Sequence, residues 1–336
     1  MKKNNKIRAY EFAIDTIKKY KLIENGDKIV LGVSGGPDSI TMLDILDKIK
    51  NEQTINFEIC VAHINHMIRE EAIEDEKYVQ EYCKKNNIDC YVKRIDVQQI
   101  AYDKKIGTEE AGRKVRYDFF EEILKKTNSN KIAIAHNKND KIETIIMHLL
   151  RGSGLSGLKG IEPIRSNKYI RPLIECERRV IEEYCEENKL NPRIDKTNFE
   201  NEYTRNKIRN IVIPYIQKEF NPNIIHTLDR LSQVATEESS YIDNQTQAIY
   251  NQIIIEENDK KIVIDLNKFN KQEEVIKRRL VLKTIKKLKG STDRIEKIHI
   301  EDIIKLCNNN VGNKYLTPNK NLKVLVKDKK IFFNLL

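Results

Sequence analysis

Residues 30–39 read Val30-Leu31-Gly32-Val33-Ser34-Gly35-Gly36-Pro37-Asp38-Ser39, and this stretch decides the fold. Val30 to Val33 complete an apolar run that starts at Ile29 and is bounded by Gly26-Asp27-Lys28, the pattern of a buried strand. Ser34-Gly35-Gly36 then supplies a turn in which two residues can take positive φ and no side chain blocks a ligand. From Ser39 to Ile49 the apolar positions Ile40, Leu43, Ile45, Leu46 and Ile49 fall at helical spacing. Strand, glycine turn and helix N-terminus in that order make an anion site, because free amides and the helix dipole point at one place.

The turn is not a Walker A loop, since no Gly-Lys-Ser/Thr closes it, and it is not G-x-G-x-x-G. An ordinary strand-to-helix turn needs the glycines but not Ser34, Asp38 and Ser39 crowded into the same six residues. Ser34-Gly35-Gly36-Pro37-Asp38-Ser39 resembles the PP-loop of the N-type ATP pyrophosphatases, which cleave ATP between the α- and β-phosphates and adenylate a carbonyl-type oxygen. The residues suit this. Backbone N–H groups and two hydroxyls can hold pyrophosphate, and Asp38 can carry Mg²⁺ or orient a nucleophile.

Around this motif, apolar β-branched runs alternate with helical segments. Strands are predicted at 29–33, 57–64, 90–95, 131–135 and 169–173, with helices over 39–50, 74–86, 109–126 and 140–150. The alternation predicts an α/β fold, a doubly wound parallel sheet with helices on both faces and ligands beyond the carboxyl ends of its strands. A boundary is expected near Pro214 to Pro222, dividing a catalytic domain, 1–215, from a helical linker and small α+β domain, 216–336. In the latter, 224–254 reads as one long helix or a helical pair, 261–266 and 322–333 have strand character, and 272–288 is a basic helix.

With 336 residues, 33% charged and 39% hydrophobic, the chain reads as soluble, globular and long enough for two domains. No apolar stretch approaches the ~18–20 residues of a membrane span, and the basic start Met1-Lys2-Lys3 leads into no signal-peptide core. Six scattered cysteines without a Cys-x-x-Cys pair fit reduced thiols in a cytoplasmic protein, and argue against a cysteine-held zinc or iron–sulfur centre. Residues 271–336 hold 17 Lys+Arg against 7 Asp+Glu, which is the whole net charge of +10, so residues 1–270 are electroneutral. A neutral catalytic part with a basic appendage points to a polyanionic partner such as nucleic acid rather than to a solvated lysine-rich surface.

Five more stretches carry candidate chemistry. Val61-Ala62-His63-Ile64-Asn65-His66-Met67-Ile68-Arg69 ends the second strand; two histidines with Asn and Arg here suit adenine or ribose contacts better than a metal, for want of a third ligand. Thr108 to Tyr117 reads as a helix start capped by Thr108, with Arg113 and Arg116 on one face, placed to grip phosphate or to pair with nearby glutamates. Ala135-His136-Asn137-Lys138-Asn139-Asp140-Lys141-Ile142-Glu143-Thr144 closes the fourth strand, and Asp140 and Glu143 share a face suited to Mg²⁺ or an amine, beyond the usual dipole role of acids in a first turn. Arg151 to Gly160 adds Gly152, Gly154, Gly157 and Gly160; with Gly32, Gly35 and Gly36 these make seven of the chain's 12 glycines. Finally, Asp195 to Arg209 is polar and basic, with Arg205 and Arg209 spaced to meet a phosphate backbone.

In unbroken order from about 25 to 215, these segments resemble the tRNA(Ile)-lysidine synthetase family: Ser34–Ser39, His63–Arg69, Glu109–Tyr117, His136–Thr144 with Arg151–Gly160, Arg171-Pro172-Leu173 and Asp195–Arg209. Two departures stand out. Many members have Asp-Asp-Gln-Ala-Glu-Thr where this chain has Asn139-Asp140-Lys141-Ile142-Glu143-Thr144, and longer members carry a second C-terminal domain. The resemblance implies a two-step reaction. O2 of the wobble cytidine in a CAU-anticodon isoleucine tRNA attacks the α-phosphate of ATP, and the ε-amine of free L-lysine then displaces AMP at C2. It implies ATP held by Ser34, Gly35, Gly36, Pro37, Asp38, Ser39, His63 and His136, and Mg²⁺ on Asp38. Asp38, Arg113, Arg116, Asp140 and Glu143 would be catalytic, Asp140 and Glu143 also holding lysine. Arg205, Arg209, Arg278 and Arg279 would contact tRNA, with a homodimer and no membrane as further expectations. The nearest alternative, a PP-loop cytidine 2-thiolase, normally needs a Cys-x-x-Cys pair; an idle RNA-binding relative would not need Asp38, Asp140, Glu143 and both arginines.

Overall fold

A computed structural model describes residues 8–67, 72–193, 204–293, 295–309 and 314–336. Ile68 and Arg69, Asp195 to Tyr203 and the first seven residues, named above, lie outside the described residues. The chain divides into two compact units, Met1–Gln233 and Val234–Leu336.

The first unit is built on six strands: β1 (Asp27–Gly32), β2 (Phe57–Asn65), β3 (Cys90–Arg94), β4 (Lys131–Ile134), β5 (Ile164–Arg165) and β6 (Tyr169–Ile170). They lie in the order β3-β2-β1-β4-β6-β5, all parallel except the edge strand β5. Strand residues alternate between two cores. Ile29, Leu31, Val61 and Ala133 face one side, with the helices Arg8–Tyr20, Pro37–Asn51, Ala72–Lys85 and Arg178–Glu187. Val30, Cys60, Ala62 and Ile132 face the other, against Phe119, Phe120 and Ile123 of the helix Thr108–Lys126. Both faces are thus covered, as a parallel sheet requires. The strand order reverses at β1, which puts a crevice beyond the carboxyl ends of β1 and β4.

Several local expectations change. Only Gly35 in the turn has positive φ (93°); Gly36 is extended and serves as the N-cap of Pro37–Asn51. Gly107, not Thr108, caps the helix Thr108–Lys126, since the chain already turns helical at Thr108. Past residue 215, Ile225 still packs with Ile142, Ile145 and Ile213 of the first unit.

The helix Ile224–Ile253 is continuous and carries the division between the units. The second unit has five antiparallel strands, β7 (Ile254–Glu257), β8 (Lys261–Asp265), β9 (Lys314–Asn319), β10 (Leu322–Lys327) and β11 (Lys330–Leu335), in the order β7-β8-β11-β10-β9. The helices Leu266–Asn270, Glu274–Lys289 and Lys297–Asn309 cover one face, around Phe269, Leu280, Ile303 and Phe333. The stretch 322–333 is therefore parts of two strands, not one. Its turn, Asp328-Lys329, has both residues at positive φ (49° and 57°), and the Asn-Gly or Asp-Gly signal of such a hairpin is absent.

Candidate active site

Two connected groups of residues build the site, one from the loop after β1 and one from the loop after β4. In the first, Ser34 and Gly35 aim their backbone N–H groups at Ser39 Oγ (3.1 and 3.2 Å), and Ser39 donates to Gly36 O at 3.0 Å. The loop is thereby tied to the helix whose N-terminal amides face the crevice. Arg193 donates its backbone N–H to Gly35 O at 3.0 Å and braces the turn from behind. Gly32 is required for a different reason: a Cβ there would lie 2.3 Å from Phe120 Cζ.

In the second group, Asn137 caps the helix Lys138–Leu150 in a reciprocal box with Asp140. The Asn137 side chain accepts from Asp140 N at 2.9 Å and donates through Nδ2 to Asp38 Oδ1 at 2.8 Å. Asn137 is fully buried and links the two loops. The Asp38 carboxyl is pushed up to about 6, first by burial and then by the nearby Asp140 charge. A carboxylate whose proton affinity is raised by burial and by a second carboxylate nearby suits a divalent cation. Magnesium is commonly bound by one or two carboxylates plus phosphate oxygens, so Asp38 with Asp140 fits it.

Glu143 is fully buried and held by two guanidiniums: Arg205 Nε at 2.8 Å, and Arg209 Nε and Nη2 at 2.6 and 2.9 Å. Arg209 Nη2 also reaches Asp140 Oδ1 at 3.2 Å, and Arg178 lies 3.5 and 3.6 Å from Asp140 and Glu143. Three guanidiniums thus surround two carboxylates. Arg209 sits in a widened π turn, Ile208–Val212, a local irregularity that recurs at functional sites. Arg178 is set by Asn139, whose Oδ1 accepts the Arg178 N–H at 3.0 Å and so supplies a side-chain partner for the first amide of the helix Arg178–Glu187. The amide that departs from the family's aspartate therefore has a positioning role.

A cleft of about 900 Å³ opens over these groups, lined among others by Ser34, Asp38, His63, Arg116, His136 and Arg209. His63 donates from Nδ1 to Val33 O at 2.9 Å, which leaves Nε2 an acceptor buried in the cleft wall with no partner among the described residues. Such an atom fits an amino or hydroxyl group of a nucleoside. A second cavity of about 390 Å³ adjoins it, lined by Arg113, Arg151, Arg165, Arg171 and Arg205, with His136 common to both. Arg171 Nε donates to His136 Nδ1 at 3.1 Å, and burial followed by the Arg171 charge holds that imidazole well below its usual range, hence neutral. Arg113 and Arg116 of one helix face thus serve different cavities.

The structure brings together Ser34 to Ser39, His63, Arg116, His136, Asp140, Glu143, Arg205 and Arg209, with Arg113 next door. Arg278 and Arg279 belong to the second unit, where they pair with Glu301 (2.8 Å) and Asp243 (3.2 Å). Sequence reasoning missed Asn137 and Arg178. Arg178 did leave a signal: two arginines open a helix whose dipole disfavours cations there, a local conflict that asks for a compensating carboxylate.

Residues 8–216 match the family model of the PP-loop domain. The chain is 46% identical over 307 residues to a tRNA(Ile)-lysidine synthase of Clostridium acetobutylicum, covering 91% of this chain and 66% of that one. It is 44% identical over 319 residues to the tRNA(Ile)-lysidine synthase of Clostridioides difficile, covering 95% and 69%. The chain therefore spans about two thirds of the length of these curated relatives. Among solved structures, a U34-tRNA thiolase from Methanococcus maripaludis superimposes with a TM-score of 0.54 at 17% identity, covering 66% of this chain and 78% of that one, which speaks to the fold alone. With a PP-loop domain across most of its length and such identity to these synthases, the chain belongs to the tRNA(Ile)-lysidine synthase family of PP-loop proteins.

Proposed function

We propose that this chain is an ATP-dependent ligase that joins free L-lysine to C2 of the wobble cytidine in a CAU-anticodon isoleucine tRNA, changing its codon from AUG to AUA. The identity of 44–46% over more than nine-tenths of the chain carries this reading. The thiolase alternative rests on a shared fold and lacks a Cys-x-x-Cys pair.

In this reading, Ser34 to Ser39 hold the β- and γ-phosphates, and His63 Nε2 meets the nucleoside. Asp38, with Asp140 beside it, would hold Mg²⁺. The ion would supply charge neutralisation on the departing pyrophosphate. Arg116, open to the cleft, steadies the α-phosphate side, and Arg113 reaches the RNA side from the adjoining cavity. The neutral His136 between the cavities donates from Nε2 without adding charge.

Lysine must arrive as an ammonium and attack as an amine, so a proton acceptor is needed at neutral pH. Glu143 and Asp140 are the acceptors at hand. The ammonium takes a place now filled by a guanidinium, and Arg205 or Arg209, so released, turns to a phosphate of the RNA. This exchange reconciles their pairing here with tRNA contact. Residues 1–215 form the catalytic domain and 216–336 the linker and tRNA-binding part, where Arg278 and Arg279 give up their carboxylate partners to RNA. A cytoplasmic location and a homodimer complete the reading.

The test is pyrophosphate release with Mg-ATP and transcribed isoleucine tRNA, with lysine present or omitted, and methionine tRNA as the CAU control. Lysine incorporation into the isoleucine tRNA alone, abolished by Asp38→Ala, is the expected result. Absence of any tRNA-dependent pyrophosphate release would overturn it.

A further inference from the structure

Among the described residues, the second unit's own helices lie on one face of its five-stranded sheet. Leu322, Val324, Val326, Ile331 and Phe333 point into that helical core. Their alternates point the other way. Register places Tyr315 opposite Leu325, and Leu325 opposite Phe332, so these three form one row across β9, β10 and β11, which ends at the buried Val263 of β8. Tyr315 is 57% exposed, and Leu325 and Phe332 are half-buried. None of the three belongs to the core cluster on the far side.

Lysines flank this row on both sides. Lys323 stands one pleat below it, with its Nζ 4.2 Å over the Tyr315 ring. Lys327 and Lys330 stand one pleat above, directly opposite each other in the ladder. Facing like charges cost stability in a sheet; Asp265 of β8, opposite Lys330 on its other side, offsets part of that cost, and an anion bound beside Lys327 would offset more. Among the described residues, no carboxylate pairs with Lys323, Lys327 or Lys330, whereas Arg278 and Arg279 on the helix are each tied to one. The sheet face thus sets cations that no carboxylate holds beside an aromatic row. It also lies within the stretch that holds the chain's whole positive excess.

We infer that this open sheet face is an RNA-binding surface, with unstacked bases of a loop packing on Tyr315 and Phe332 and their phosphates on Lys323, Lys327 and Lys330. A flat aromatic row with a cationic border fits single-stranded RNA, because stacking accepts any base and the lysines follow the backbone. A purely apolar protein partner would leave the lysines buried and unpaired. The inference rests on the tRNA reading above and adds which face is used.

The experiment measures binding of labelled isoleucine tRNA to the full chain between 50 and 300 mM salt. Lys323→Glu/Lys327→Glu/Lys330→Glu is expected to weaken binding about tenfold or more and to reduce the salt slope by roughly 2–3. A triple reversal of equal charge in the first unit, at helix ends on the edge of the sheet opposite the cleft, Lys84→Glu/Lys85→Glu/Lys125→Glu, is expected to change binding less than threefold. Tyr315→Ala should weaken binding of a loop oligonucleotide but not of a blunt duplex, and Tyr315→Phe should restore it. These variants alter surface positions, and a thermal melt checks that each is folded. Equal losses from both triples, or no loss from the sheet triple while the unaltered chain binds, overturn the inference and leave the ligase reading standing. A sheet triple that turns a dimer into a monomer in sedimentation also overturns it, marking the face as a contact between copies. Failure of the unaltered chain to bind tRNA at all removes the ligase reading, and this inference with it.

Discussion

Asn137 and Asp38, 99 residues apart, are joined by one hydrogen bond of 2.8 Å that ties the loop after β4 to the loop after β1. The same Asn137 side chain caps the helix carrying Asp140 and Glu143. Serine at 137 preserves the cap but is too short to reach Asp38. Asn137→Ser is therefore expected to lose the Asp38 contact, a hydrogen bond to a charged group worth about 1.5–3 kcal/mol, so that the melting temperature falls by a few degrees and kcat/KM for ATP falls with the misplaced carboxylate. Asn137→Ala loses the cap as well, about 1 kcal/mol more, and should melt a few degrees lower still. Pyrophosphate release and a thermal melt on both variants separate the two roles.

Gly32 is predicted to tolerate no side chain. Its Cβ would overlap the Phe120 ring, so Gly32→Ala should cost about 1–3 kcal/mol in urea denaturation. Phe120→Leu, which withdraws the ring, should cost less in the Gly32→Ala background than alone. Additive losses would mean that the two residues do not meet.

Asn139 should accept replacement by the aspartate that many family members carry. A carboxylate at 139 can still accept the Arg178 N–H and also favours the helix N-terminus it caps, an effect of about 0.3–1 kcal/mol. Asn139→Asp is expected to be folded, active and slightly more stable, while Asn139→Leu leaves that amide without its partner and should lower kcat through Arg178. Loss of folding in the aspartate variant would contradict this placement.

His66 makes stability depend on pH in a defined direction. Burial, with Arg116 nearby, pushes its imidazole down to about 4 from an ordinary 6.5. Between those values the unfolded chain binds the proton and the folded protein does not, so this group's contribution is lost as pH falls from about 6.5 towards 4. His66→Gln removes the effect. Urea midpoints at pH 7.5 and 5.0 should drop less in the variant than in the unaltered chain; an equal drop would refute the assignment.

Much of the first unit was legible because its signals are local. Period-two apolar runs and period-3.6 helices depend on a few neighbouring residues, and the sheet built from them places Ser34 to Ser39 and His136 to Glu143 at adjoining strand ends. The observed strands match the expected ones to within a residue or two, except that 169–173 shortens to Tyr169–Ile170 and β5 adds an antiparallel edge. Misses were also local in cause. Asp328-Lys329 turns a hairpin without glycine, and Gly107 takes the cap in place of Thr108.

The PP-loop, the parallel architecture, the candidate carboxylates and the basic C-terminal end are all legible in the order of residues. Only the tertiary structure decided that Arg178, Arg205 and Arg209 converge on Asp140 and Glu143, that Asn137 reaches Asp38, and that His136 stands between two cavities. The physical reason is range. Turns, caps and periodicity are settled by backbone geometry over a few residues, whereas the partner of a buried charge is settled by which distant elements pack against it.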